Sequence, residues 1–77
     1  MSTKRGAAMF AICLDNSGYD FSLQVRKVYR VLPDPVANKH HLVRVIDDTG
    51  EDYLYGSGMF APITLSPKAR AAFAQHS

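Results

Sequence analysis

Seventy-seven residues carry nine Lys and Arg against seven Asp and Glu, a formal charge of +2, and 47% of them are hydrophobic. A chain of this length makes one domain with a small core, burying about 60% of the surface its unfolded form exposes. The composition excludes wholesale disorder, and the charge excess is too slight to imply a nucleic-acid partner by itself. One cysteine, Cys13, excludes an intramolecular disulfide, and no apolar run reaches the roughly 18 residues that cross a bilayer. A reducing cytoplasm is the expected location. Lys4-Arg5 and the run Gly6 to Leu14 imitate a signal peptide, but the run is short, ends at Asp15 and lacks an A-x-A site, so no cleavage is expected.

Residues 1–7 read as a flexible tail, 8–65 as one folded unit and 66–77 as a C-terminal helix and tail. Ala7 to Leu14 is an apolar run suited to a first strand. Asp15-Asn16-Ser17-Gly18 turns the chain, because Asp and Asn bond their own backbone and glycine accepts positive φ. Tyr19, Asp20 and Phe21 then fall in a loop or irregular hairpin. From Lys27 to Leu32 alternation puts Val28, Arg30 and Leu32 on one face and Tyr29 and Val31 on the other. Pro33-Asp34-Pro35 closes this strand, since proline cannot donate to a ladder, and Val36 to His40 suits a single helical turn.

Two β-rich runs, Leu42 to Ile46 and Tyr53 to Tyr55, flank the polar segment Asp47 to Asp52, whose Gly50 can reverse the chain. A hairpin follows. On its return strand Leu54 is expected to point into the core, with Tyr53 and Tyr55 outward. Gly56-Ser57-Gly58 breaks that strand, and Phe60 to Leu65 resumes extended structure, Pro62 restricting it to an edge. Ser66-Pro67 is an N-cap with proline at the first helical position, followed by helix formers. Phe73 on this helix is expected to plug one end of the fold.

Five short strands with a long first connection, a tight hairpin and a brief turn before the last strand describe an all-β, five-stranded barrel with a short C-terminal α-helix. The order and spacing resemble an SH3-like barrel. Tyr53-Leu54-Tyr55-Gly56-Ser57-Gly58-Met59-Phe60-Ala61-Pro62 resembles an expanded form of the Gly-Tyr-Ile-Pro-Ser-Asn-Tyr-Val segment that ends SH3 domains. The pattern extends over about residues 9 to 65, and the chain is similar to small uncharacterised bacterial proteins built as one such barrel. By that resemblance a peptide groove would consist of Tyr53, Tyr55 and Met59, with His41 where the family has tryptophan and Tyr19 near the first loop. The chain has no Trp, its first strand lacks the family's two tyrosines, and Tyr55 replaces the groove proline. The expectation is therefore a looser protein-binding face, with no commitment to proline-rich ligands.

A second reading uses Arg26, Lys27, Arg30, Lys39 and Arg44 as phosphate contacts, with Tyr29 or Tyr53 as a stacking surface for RNA or DNA. Metal ligation is not expected, because His40, His41 and Cys13 have no ligand spacing and the acidic segment Asp47 to Asp52 lacks the oxygen pattern of a calcium loop. That segment reads as a solvated turn. No nucleophile and base, and no paired acids, can be assembled from spacing. The sequence thus points to a non-enzymatic interaction module without a cofactor, monomeric or weakly homo-oligomeric, whose partner is an unidentified protein.

Overall fold

Runs of β-branched and aromatic residues fit a pleated, half-buried surface, and a computed structural model, describing residues 9–75, shows five of them as strands. β1 is Met9–Cys13 and β2 is Val28–Leu32; a short helix α1, Pro35–Lys39, precedes β3, Leu42–Ile46. β4 is Asp52–Gly56, a 3-10 turn follows at Ser57–Met59, and β5, Phe60–Ile63, leads to helix α2, Pro67–Gln75. All pairings are antiparallel in the order β4-β3-β2-β1-β5. The sheet is open, with β4 and β5 as its edges and the Ser57–Met59 turn carrying the chain between them. The expected tail, 1–7, lies outside the described residues.

One face of the sheet is the core. Alternation places Ala11 and Cys13 of β1, Tyr29 and Val31 of β2, and Val45 of β3 on it, joined by Tyr55, Phe60 and Leu23 from the long first connection. Leu23, Cys13 and Val45 have no exposed surface, and burying a side chain such as leucine or valine contributes about 1.5–3 kcal/mol. The alternation read in β2 holds, with Tyr29 and Val31 buried and Val28, Arg30 and Leu32 half-buried.

The orientation of β4 is the reverse of that expected. Tyr55 is 2% exposed and lies in the core, while Leu54 is half-buried on the opposite face. Register is the cause: Val43 stands opposite Tyr55, Val45 opposite Tyr53, and Arg44 opposite Leu54. Because Val45 faces the core, both tyrosines share its face and Leu54 shares that of Arg44.

Both short helices begin on side-chain caps. Asp34 accepts from the Ala37 amide at 3.0 Å to start α1, and its second oxygen accepts from Arg44 Nε at 2.8 Å, tying α1 to β3. Ser66 Oγ accepts from the Ala69 amide at 3.2 Å to start α2. Phe73 does not plug an end of the sheet. Its ring rests 4.9 Å from that of Phe10, a residue directed by β1 alternation to the face opposite Ala11 and Cys13. Phe10 is therefore buried although it lies off the core face.

Candidate binding cleft

The long connection from Leu14 to Lys27 folds on its own polar groups before it meets the hairpin. The Asn16 side chain donates to the Leu23 carbonyl at 3.0 Å, and the Leu23 amide donates to the Tyr19 carbonyl at 2.8 Å. This seats Leu23 in the core and brings Ser22 under the β3–β4 turn, where its carbonyl accepts from the Asp48 amide at 2.9 Å. Arg26, two residues before β2, is left-handed at φ 72, and its amide donates to the Cys13 carbonyl at 2.7 Å.

Two tyrosine hydroxyls fasten this connection to the hairpin. Tyr55 donates to Asp47 Oδ2 at 2.7 Å and lies 3.1 Å from Ser22 Oγ. Tyr29 donates to Asp48 Oδ2 at 3.0 Å and accepts from the Gln24 amide at 2.8 Å, while Lys27 Nζ lies 2.6 Å from Asp48 Oδ1. Burial pushes both phenols up to about 12, and their carboxylate partners push in the same direction. Burial also pushes the Asp47 and Asp48 carboxyls up, but it is outweighed. Hydrogen bonds from Thr49 and Tyr55 to Asp47, and from Lys27, Tyr29 and Gln24 to Asp48, hold both below the ordinary aspartate value. The turn is largely exposed, as its composition led one to expect, but two of its acids, Asp47 and Asp48, also clamp it to the first connection and to β2.

Above the clamp lies a cleft of about 230 Å³. Tyr55 is its floor, with the Tyr19 ring edge-on at 4.8 Å and the Tyr53 ring tilted at 5.3 Å. Phe21 and Tyr53 form the open walls, 76% and 55% exposed, and Asp47, Glu51 and Asp52 supply the acidic rim. Among the described residues no Lys or Arg lines the cleft. Asp52 receives Arg44 Nη1 at 2.7 Å, whereas Glu51 makes no ion pair among the described residues.

Of the residues expected to form a protein-binding face, Tyr19, Tyr53 and Tyr55 come together, although Tyr55 contributes a buried floor and not an exposed ring. Met59 packs against the core, and His41, at φ 60, uses its carbonyl to accept the Ser57 amide at 2.9 Å; neither lines the cleft. Phe21 belongs to the cleft and was missed, though a large aromatic in a polar loop beside Tyr19 and Asp20 was a visible signal. Among the basic residues, Lys27 is held by Asp48 and Arg44 is held between Asp34 and Asp52. Arg26 and Lys39 are exposed, and Arg30 is half-buried on the face opposite the core. Tyr29, 3% exposed, offers no stacking surface.

Comparison with protein-family models, curated proteins and solved structures finds no match. Among the described residues no helix is long and apolar enough to cross a membrane.

Proposed function

We propose that this chain is a small, non-enzymatic interaction module on an SH3-like framework, and that it binds a protein partner by enclosing one basic side chain in the Tyr19–Phe21–Tyr53 cleft. The strand order with its long first connection and short 3-10 turn before β5 supports the SH3-like reading. The exposure of Phe21 and Tyr53 above an acidic rim carries the binding reading. Aromatic faces attract cations, by about 0.5–1 kcal/mol at exposed sites and about 2 or more when desolvated, and Glu51 adds Coulombic attraction. At about 230 Å³ the cleft is smaller than the roughly 300–1,000 Å³ of pockets for small organic ligands. It suits the end of a lysine or arginine side chain.

Cys13 supports the non-enzymatic reading. It has no exposed surface, and burial pushes its thiol up, away from the thiolate that nucleophilic chemistry needs. The RNA- or DNA-binding alternative is weaker, because Lys27 and Arg44 are already engaged by carboxylates.

The test is an amide-shift titration of the ¹⁵N-labelled chain with an arginine- and lysine-containing peptide, a glutamate-containing control and a single-stranded oligonucleotide. Shifts at Tyr19, Phe21 and Tyr53 with the basic peptide alone, lost in Tyr53→Ala, are expected. Silence of these amides, or shifts at Arg26 and Arg30 with the oligonucleotide, would overturn the reading.

A further inference from the structure

The clamp closes one end of the core face and leaves the other open. At that end Met9, Val31, Val43, Phe60 and Pro62 line an apolar cavity of about 560 Å³. Ala11, between Met9 and Cys13 on the same face, also lines it. Met9 stays 42% exposed although the alternation of β1 directs it to the core face, as expected of a residue at an open mouth.

The polar groups at this mouth are few, and each can donate a hydrogen bond. Among the described residues Arg70 of α2 is the single charged residue lining the cavity, accompanied by the hydroxyl residues Ser57 and Thr64. Arg70 makes no ion pair among the described residues. A pocket of this volume, apolar throughout with a few convergent polar groups, is the form small-molecule sites take. Its guanidinium and hydroxyls are donors suited to a carboxylate.

We propose that this cavity is a binding site for a small amphiphilic carboxylate, its hydrocarbon tail among Met9, Val31, Val43 and Phe60 and its headgroup at Arg70. The site is chemically the opposite of the acidic, aromatic cleft and does not depend on it. The positive charge of Arg70 selects an anionic headgroup over an amine, and the apolar lining selects a hydrocarbon tail over a polar one.

The experiment is an amide-shift titration of the full chain with octanoate, octylamine and octan-1-ol, each below its aggregation limit. Octanoate is expected to shift Met9, Val43, Ile63 and Arg70 and to bind more tightly than octylamine. Arg70→Gln, a change at an exposed position, is expected to weaken octanoate about fivefold while leaving octanol unchanged. Val43→Phe, which fills the cavity, is expected to weaken both. The proposal is overturned by an absence of shifts with octanoate, by equal affinity for octanoate and octylamine, by an unchanged octanoate affinity in Arg70→Gln, or by self-association of the chain that buries Met9 and Val43.

Discussion

Tyr55 shows how a polar side chain can serve as a core residue. Its ring packs between those of Tyr19 and Phe60 while its hydroxyl reaches Asp47 and Ser22, so burial leaves no unsatisfied donor. Tyr55→Phe keeps the ring and removes that hydroxyl. It is expected to lower unfolding free energy in urea by about 1–3 kcal/mol, because Asp47 loses a partner. The same phenols set an alkaline limit. Their folded pKa values are raised to about 12 from the ordinary 10.0, so the folded state holds these protons more tightly than the unfolded chain. Stability from this source is complete below pH 10 and falls as pH rises toward 12. For Asp47 and Asp48 the sign reverses: their values are lowered, so their contribution is present above the ordinary aspartate range and is lost on acidification. Urea midpoints from pH 3 to 11.5 should fall at both ends, and the alkaline fall should be shallower in Tyr55→Phe.

At the scale of elements, most of the chain was legible. The β2 strand, the proline-bounded helix α1, the hairpin, the break at Gly56 to Gly58 and the capped helix α2 all follow from alternation, glycine and proline positions, and caps. The facing of β4 was not, and the reason is register. Five residues, Asp47 to Glu51, join β3 to β4, and a shift of one residue in such a connection exchanges the faces of the return strand. Apolarity favoured Leu54 as the inward residue; the pairing of Val45 with Tyr53 decided otherwise. The bonding of Asp47 and Asp48 to other elements was hidden for a related reason, since their partners Tyr29, Lys27 and Tyr55 lie on other strands or at their ends. The assignment of faces is open to a direct check. Val45→Ala is expected to cost about 2 kcal/mol of unfolding free energy, as a methyl-deleting change at a site with no exposed surface, and Leu54→Ala less than half of that. A larger loss for Leu54→Ala in urea denaturation would reverse the assignment.

For the molecule as a whole, the clamp gives the sheet two unlike ends. One carries tyrosines and carboxylates and presents the acidic aromatic cleft; the other is apolar, open and watched by Arg70. The cleft was only half legible, because Tyr19 and Tyr53 could be singled out as aromatics but their meeting with Phe21 depends on how the first connection folds onto the hairpin. The charge of the cleft is the feature on which its proposed role rests, and Glu51 is an exposed acid of its rim without an ion pair among the described residues. The most direct measurement is the dissociation constant of an arginine- and lysine-containing peptide for the native chain and for Glu51→Lys, at low and at physiological salt. Weakening of at least about fivefold in the variant, greatest at low salt, is the expected result; an affinity that is unchanged or tighter in Glu51→Lys would contradict it.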